Sequence, residues 1–223
     1  MSTALRSSRA FAYENPRPDV QALVPECARR ILDLGCSSGA VGAALKARQG
    51  AEVVGLELDP GYAADAALRL DRVVEGDLEA LASRDDLAAD LGRFDCLVAA
   101  DVLEHLRDPW TVLARFAALL EPGATAVVSL PNVRYWDTFW QVGWKGSWPR
   151  RHEGIFDATH LRWFTLWDAY ELLRGAGLEP EAVSRQMRFA PQGTRWDRLA
   201  RRLERTPLRP FFTFQHVIAA RRG

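Results

Sequence analysis

Two acids flank a glycine-containing turn near the amino terminus, and their spacing is the first indication of chemistry. The turn has the pattern Asp33-x-Gly35-x-Ser37-x-Gly39, and Glu57 follows at the end of a second apolar run. An acid about twenty residues beyond such a turn accepts hydrogen bonds from the two ribose hydroxyls of a nucleoside, while the glycines let the main chain approach the ligand. Asp33 suits a cationic amino-acid tail better than a pyrophosphate, which a carboxylate would repel. The pattern therefore predicts a nucleoside-containing cofactor.

Apolar runs predict the strands that position these acids. Residues 31–34 and 53–58 are continuous enough in apolarity to be buried on both faces of a sheet, and a helix is predicted to begin near Ala40 and to end at Gly50. Further strands are predicted at 72–76, 94–100, 125–130, 178–188 and 211–220, with helices at 62–70, 110–120 and 166–174. Because ligands of such sheets bind beyond the carboxyl ends of the strands, Asp77 and Asp101 should face the same site.

Three segments resemble the class I S-adenosylmethionine (SAM) dependent methyltransferases. The turn resembles their motif I, in which serine often occupies the middle glycine position, and D-V-L-E-H-L-R-D-P at 101–109 resembles their segment after strand four. The run D-A-T-H-L-R-W-F-T at 157–165 is similar to methyltransferases encoded with glycan-assembly enzymes. The resemblance implies an α/β, Rossmann-like fold with a seven-stranded, mostly parallel sheet, an antiparallel last strand and an aromatic lid after strand five.

The resemblance also implies S-adenosyl-L-methionine as the cofactor. In the family, an acid after strand three accepts a hydrogen bond from the adenine amino group and the next apolar residue covers the adenine, roles that fall here on Asp77 and Leu78. Tyr13 and Arg17 could reach the cofactor carboxylate, with surface packing as an equal alternative. The expected cofactor contacts are Tyr13, Arg17, Asp33, Gly35, Cys36, Ser37, Gly39, Glu57, Leu58, Asp77, Leu78, Asp101 and Val102.

Two histidines are the candidate catalytic groups. Methyl transfer needs alignment of the acceptor, and it needs a base when the attacking hydroxyl must lose a proton. His105 lies in the loop facing the cofactor and is the first candidate, although it could equally brace that loop; His160 is the second, with a structural or acceptor-binding role equally open. A metal-dependent mechanism would need clustered carboxylates, which only Asp101 and Glu104 approach, so no metal is expected.

The segment at 133–165 carries an unusual density of tryptophan and is the expected lid and acceptor segment. Tryptophan recurs every four residues from Trp136 to Trp148, and Gly143 and Gly146 make one long helix unlikely. Aromatic faces suit sugar rings, flat acceptors or a membrane interface, although a hydrophobic underside of the lid explains them nearly as well. The candidate acceptor contacts are Tyr135, Trp136, Trp140, Trp144, Arg151, His152 and Arg162, the cations being suited to an anionic group on a glycan.

Length and charge limit the remaining possibilities. The 223 residues suit a single domain over 1–223, with an extension at 1–28 and a helical insertion at 190–209. The 29 basic and 29 acidic residues balance, so no nucleic-acid partner is implied. No apolar run is long enough for a transmembrane segment, and the three cysteines read as reduced, so a cytoplasmic protein is expected. The partner is expected to be a small molecule or glycan; a homodimer is left open.

Two other function classes compete with methyl transfer to a sugar, glycan or ring hydroxyl. Strand five running into P-N-x-x-x-W at 131–136 also resembles the methionine-biosynthesis accessory proteins, which would make the chain a non-catalytic or partner-dependent protein of the same fold. The intact Asp33, Glu57 and Asp77 favour cofactor binding instead. An NAD-dependent oxidoreductase fits poorly, because its turn prefers G-x-G-x-x-G.

Overall fold

The sheet holds seven strands in the order β3-β2-β1-β4-β5-β7-β6, as seen in a computed structural model that describes residues 14–187, 202–203 and 205–223. The strands are β1 (Arg30–Leu34), β2 (Glu52–Glu57), β3 (Arg72–Glu75), β4 (Phe94–Ala100), β5 (Leu120–Pro131), β6 (Leu178–Met187) and β7 (Thr213–Arg222). The first five run parallel, and β7 is antiparallel to both β5 and β6. The predicted Rossmann-like fold with an antiparallel last strand is confirmed.

Helices connect the strands and cover the sheet. They are α1 (Pro18–Gln21), α2 (Ala40–Gln49), α3 (Pro60–Ala67), α4 (Leu78–Ala82), α5 (Leu87–Leu91), α6 (Pro109–Ala117), α7 (Trp136–Thr138), α8 (Leu166–Gly175) and α9 (Arg209–Phe212). A π-helix at Phe139–Trp144 continues α7, and 3-10 turns lie at Leu103–His105 and Gly154–Phe156. No helix in the described part of the chain combines the length and apolarity needed to cross a membrane.

Local sequence explains where the helices start and stop. Gly50 ends α2 with φ at 67°, in the left-handed region that glycine adopts without strain. Asp59 caps α3 by accepting hydrogen bonds from two backbone N–H groups, and Thr165 forms a capping box with Asp168 at the start of α8. The Thr165 cap agrees with the predicted helix start at 166, whereas α3 begins at Pro60 and ends at Ala67 instead of covering the predicted 62–70. The two caps fix the loops on the edge where the strands end.

Three predicted boundaries are wrong at the far side of the sheet. The helix predicted at 110–120 ends at Ala117, and β5 begins at Leu120, before the predicted residue 125, because Leu119 and Leu120 already pair with Phe94. The strand predicted at 211–220 begins at Thr213, because Pro210 in the first turn of α9 favours a short helix there.

The core lies in two apolar layers, one on each face of the sheet. Alternate side chains of β1 point into opposite layers, so that Leu32 and Leu34 join one and Ile31 joins the other. Burial on both faces is why these strands read as continuous apolar runs. The register sets Asp33 beside Gly55 and Glu57 beside Glu75, which brings the carboxyl ends of the strands to one edge. The insertion predicted at 190–209 lies largely outside the described residues, as does Tyr13.

Candidate active site

The turn after β1 is held between two side chains, Val102 beside Gly35 and the Glu57 carboxylate beside Ser37. Gly35 has φ at 67°, and a Cβ there would lie 2.7 Å from Cγ2 of Val102, so no side chain fits. Glu57 accepts hydrogen bonds from the backbone N–H groups of Ser37 at 2.8 Å and Asp59 at 2.9 Å. Its carboxylate therefore braces the turn in addition to any ligand it holds. The sequence alone did not indicate this second role.

Asp33 is a buried carboxyl at the floor of a cavity. Only 3% of the residue is exposed, and Oδ2 has no hydrogen-bond partner among the described residues. Burial, followed by the charge of Glu57, raises the pKa of Asp33 to about 7. The same causes, burial first and then the charges of Asp33 and Glu57, raise the pKa of the neighbouring Cys36 thiol. Asp33 can therefore receive a cationic ligand, while Cys36 stays protonated and unreactive.

The cavity has a volume of about 620 Å³, which is the size of small-molecule sites. It lies at the carboxyl ends of β1 and β4, the point where the strand order reverses and where ligands bind in this class of sheet. Of the predicted residues, its lining includes Arg17, Asp33, Gly35, Cys36, Ser37, Asp101, His105, His152 and His160.

A partly buried ion-pair network lies on one side of the cavity. Arg17 donates to Asp101, to Asp19 at 2.9 Å and to the hydroxyl of Ser129 at 2.9 Å, and Gln215 on β7 also donates to Asp101. Although burial would lower it, the pKa of Arg17 is raised by the carboxylates of Asp101 and Asp19. Arg17 is thus a fixed cation at the cavity wall, where it could also meet the cofactor carboxylate.

His105 is held by the segment that follows the lid. Its Nδ1 lies 3.3 Å from the carbonyl oxygen and 3.0 Å from the hydroxyl of Thr159, and that hydroxyl donates to Asp157 at 2.6 Å. A carbonyl oxygen only accepts, and the hydroxyl proton is already committed to Asp157, so Nδ1 must carry the proton. In the neutral ring this leaves Nε2 as the acceptor nitrogen, which is the state a base needs.

His160 and Glu104 lie behind His105. The two histidine rings meet edge to face at 4.7 Å, and Nε2 of His160 is 3.9 Å from Oε1 of Glu104. Glu104 is 1% exposed, and neither carboxylate oxygen has a hydrogen-bond partner among the described residues. Burial, then the charge of Asp101, raises the pKa of Glu104 well above its ordinary value. Glu104 therefore favours a neutral carboxyl group, or a carboxyl group that shares a proton with His160.

The same cluster is a donor set that could hold a metal ion. One oxygen of Glu104 and one nitrogen each of His105 and His160 lie within 4.8 Å of one another. Imidazole and carboxylate ligands suit Zn²⁺ and related ions. The sequence led us to expect no metal, because only Asp101 and Glu104 approach the clustered carboxylates that such a site would need. The sequence gave no sign that His160 would lie beside the loop after β4.

Several predicted contacts lie away from the cavity. Glu57, Gly39, Val102 and Asp77 border the same edge of the sheet without lining it, and Asp77 caps α4 through the N–H of Glu79. Leu58 is 65% exposed, whereas Leu78 is buried in the core. That these six residues contact a nucleoside along the strand ends stays a prediction.

The predicted acceptor contacts are more scattered. Tyr135 is buried against Phe214, and Trp136, Trp140 and Trp144 are exposed outside the cavity. Arg151 pairs with Asp137, and Arg162 donates to the carbonyl oxygen of Arg107. Among the described residues, His152 is the one predicted acceptor contact that lines the cavity.

Among the cavity-lining residues that the sequence did not predict are Glu104, Phe214, Gln215 and Asn15. Glu104 was weighed only as a metal ligand, although a lone acid inside the apolar run V-L-E-H-L could have marked it. Phe214 and Gln215 arrive from β7 because Gln215 pairs with Pro131 at the end of β5. Asn15 arrives from the amino-terminal extension. No local pattern marks these last three.

Comparison with known proteins agrees with this geometry. Residues 5–183 match the family described as "Methyltransferase domain". The chain belongs to this family. It is a SAM-dependent methyltransferase, as the predicted motifs implied, and the non-catalytic alternative loses its support.

Similar curated proteins include two bacterial enzymes. The chain is 32% identical over 188 residues to a ubiquinone biosynthesis O-methyltransferase of Cereibacter sphaeroides, covering 83% of this chain and 74% of that one. It is 37% identical over 110 residues to the enzyme of the same name from Xylella fastidiosa, covering 49% of this chain and 44% of that one.

Solved structures share the fold. A SAM-dependent methyltransferase from Mesorhizobium loti aligns with a TM-score of 0.63 at 22% identity, covering 92% of this chain and 96% of that one. Magnesium protoporphyrin IX methyltransferase from Synechocystis, solved with bound S-adenosylhomocysteine (SAH), aligns with a TM-score of 0.63 at 15% identity, covering 100% and 89%.

Proposed function

We propose that this methyltransferase acts on an acidic ring hydroxyl of a small molecule, with His105 as the base. The observation that carries the proposal is the hydrogen bonding of His105 Nδ1 to Thr159, which presents Nε2 as an acceptor in a ring that lines the cavity. The name of the Cereibacter relative, an O-methyltransferase, supports oxygen as the methylated atom.

SAM supplies an electrophilic methyl group on a positively charged sulfur. The residues of this chain would hold it and remove the acceptor proton. Asp33 gives the cofactor amino group a carboxylate, Arg17 gives its carboxyl group a cation, and Glu57 receives the ribose hydroxyls. In the reaction the acceptor oxygen bonds the methyl carbon, the carbon–sulfur bond breaks to leave a neutral thioether, and the hydroxyl proton passes to Nε2 of His105.

The acceptor class follows from what a histidine can deprotonate. A phenol has a pKa of about 10, whereas an unactivated hydroxyl resembles water at about 15.7, so a histidine base suits a phenolic or similarly acidic ring hydroxyl. The cavity wall supports this choice, because Val41, Ala100, Pro131 and Phe214 offer apolar surface to a flat ring. A sugar hydroxyl, considered from the sequence, loses the support of Trp140 and Trp144, which do not line the cavity.

Glu104 and His160 would tune the base from behind. A carboxylate 3.9 Å from His160 can hold that ring in one orientation, and the ring in turn packs against His105. If a divalent ion occupies the cluster, it would instead lower the pKa of the acceptor hydroxyl directly. The metal-free route and the metal-assisted route use the same residues, and loss of activity on treatment with a chelator distinguishes them.

The test measures SAH release with catechols, monophenols and free hexoses as acceptors. With a phenolic acceptor, His105→Gln should lower kcat by about 10²- to 10⁴-fold while SAH affinity stays unchanged. His152→Gln is the matched control. His152 also lines the cavity, but Thr159 holds the ring of His105 and not that of His152.

Two outcomes would contradict the proposal. Near-normal turnover in His105→Gln would show that His105 is not the base. Turnover with hexoses but not with phenols would show that the acceptor is not a phenolic hydroxyl. Activity lost after dialysis against a chelator and restored by Zn²⁺ or Mg²⁺ would assign the cluster to metal-assisted transfer. Failure of the protein to bind SAH by calorimetry would revive the partner-protein alternative.

A further inference from the structure

The helix formed by Trp136–Thr138 and Phe139–Trp144 is apolar yet packs none of its residues into the core. None of its side chains is buried, and Trp136, Phe139, Trp140 and Val142 are each more than two-fifths exposed. Trp144 is 77% exposed and stacks on Trp140 with ring centroids 6.0 Å apart. A helix on a soluble surface normally turns its apolar stripe toward the core. This helix leaves a contiguous aromatic surface facing outward.

Neighbouring elements extend the same surface. Phe139 contacts Phe211 of α9 at 5.1 Å, and exposed Leu208 precedes that helix. Farther along the chain, Trp148 lies edge to face with Trp163 at 5.1 Å and with Phe156 at 4.9 Å. We call residues 136–148 with Leu208 and Phe211 the aromatic patch. Its rings are not needed to wall the cavity, because none of them lines it.

The charges around the aromatic patch are predominantly positive. Residues 133–151 carry four cations, Arg134, Lys145, Arg150 and Arg151, and one acid, Asp137, which Arg151 pairs. Lys145 lies over the ring of Trp140 at 5.8 Å, and Arg134 lies over Phe211 at 5.3 Å. Arg209 adds a further exposed cation beside Leu208. The whole chain has no net charge, so this excess is local to the patch.

We propose that the aromatic patch docks the enzyme on the surface of an anionic lipid bilayer. Tryptophan is suited to the membrane interface, because its ring is apolar and its N–H can still reach water or headgroups. Lysine and arginine beside such rings are attracted to anionic headgroups. The helix is far too short to span a bilayer, so the patch lies in the interface. A second copy of the chain would bring the same cations against one another, which disfavours self-association through this surface.

Docking would also orient the cavity. Trp148 contacts Phe156, and Gly154 of the same 3-10 turn lines the cavity. The 3-10 turn at Gly154–Phe156 therefore connects the aromatic patch directly to the cavity rim. A docked molecule holds its cavity rim close to the headgroup layer.

Flotation with lipid vesicles tests the proposal on the full chain. The wild type should float with vesicles of phosphatidylcholine and phosphatidylglycerol, bind pure phosphatidylcholine more weakly, and lose binding as salt rises. Replacing both Trp140 and Trp144 with Ala should lower the partition coefficient at least tenfold. Replacing Lys145 and Arg150 with Gln should lower binding to anionic vesicles about 25-fold, because each cation near the surface contributes about fivefold.

Matched controls separate docking from general surface effects. Trp167→Ala removes a ring that is 68% exposed on α8, and Arg93→Gln removes an exposed cation next to the start of β4, at the other end of the sheet. Both should partition like the wild type. Unchanged SAH affinity and melting temperature show that each variant is folded. Should the double tryptophan variant fail to fold, quenching of wild-type tryptophan fluorescence by lipids brominated on the acyl chain makes the same distinction.

Three results would overturn the proposal. The first is a wild type that neither floats nor is quenched by the brominated lipids. The second is a Trp140 and Trp144 double variant that partitions like the wild type, and the third is a Trp167→Ala control that loses as much binding. Concentration-dependent dimerisation abolished by the double variant, without vesicle binding, would assign the aromatic patch to a second copy of the chain.

Discussion

Asp33→Asn should change how the stability of the cofactor-free enzyme depends on pH. Burial and the charge of Glu57 raise the pKa of Asp33 to about 7 in the folded protein, whereas an aspartate in an unfolded chain has a pKa of about 3.9. Between these values the folded state holds a proton that the unfolded state has released. Stability is therefore lost as the pH rises from about 4 to 7 and is level above that range. Asparagine is neutral throughout and removes this dependence.

The size of the effect follows from the two pKa values. Each unit of difference is about 1.36 kcal/mol, so a difference of about three units costs the wild type about 4 kcal/mol by pH 7. Urea unfolding of the cofactor-free wild type and Asp33→Asn, at steps from pH 4.5 to 8.5 and constant ionic strength, should show the gap in free energy of unfolding widening toward pH 7 and then staying constant.

A control of opposite sign comes from Asp71. Its carboxylate accepts hydrogen bonds from Lys46 and from the N–H of Val53, which lower its pKa despite the burial that acts to raise it. Its contribution is thus present above the unfolded pKa and lost as the pH falls. The gap between wild type and Asp71→Asn should therefore stay nearly constant from pH 4.5 to 8.5, and it should narrow only when the measurement is extended below the unfolded pKa of about 3.9. A gap for Asp33→Asn that stays constant from pH 4.5 to 8.5 would refute the reasoning about its buried carboxyl.

Three further substitutions test the turn and the base. Glu57→Ala should weaken SAH binding more than tenfold by calorimetry, and it should also lower the melting temperature, because two backbone N–H groups lose their acceptor. Glu75 is the neighbour of Glu57 across the sheet, and Glu75→Ala should change neither quantity. Gly35→Ala should abolish SAH binding through its clash with Val102, and Val102→Ala should restore part of it in the double variant; no recovery would mean that backbone strain alone is responsible. Thr159→Val should lower kcat with little change in SAH affinity, because His105 loses the hydroxyl at Nδ1, whereas unaltered kcat would separate this contact from the chemistry.

The sequence predicted the parallel half of the fold because its signals there are local. Each buried parallel strand is a continuous apolar run, and the acids at 33, 57 and 101 fall at strand ends by counting alone. Boundaries failed where tertiary pairing overrode local preference. Leu119 and Leu120 fit a helical pattern equally well, and only pairing with Phe94 assigns them to the sheet edge.

The cavity was less predictable, because several of its residues arrive through long-range pairing. Gln215 reaches Asp101 only because β7 inserts antiparallel between β5 and β6, a placement that no local pattern encodes. Most of the predicted acceptor contacts lie outside the cavity for a different reason. The density of tryptophan in the lid segment predicts rings that contact the acceptor, whereas Trp140 and Trp144 are exposed and do not line the cavity. Composition shows that apolar surface exists, and only the fold shows what it faces.

The loop after β4 joins the turn after β1 to His105, the base that we propose, and so links two motifs that are distant in the sequence. Val102 packs where Gly35 has no side chain, and Glu104 accepts hydrogen bonds through its carbonyl oxygen from the N–H groups of Leu161 and Arg162. Leu103 is thus the one residue between the contact with the turn and the contact with the D-A-T-H-L-R-W-F-T segment. Asp101, at φ 57°, starts the loop in a strained conformation that its contacts with Arg17 and Gln215 hold in place. A displacement of the turn is therefore carried within one short loop to His105, the base that we propose, and the same loop fixes the position of His105 relative to the turn.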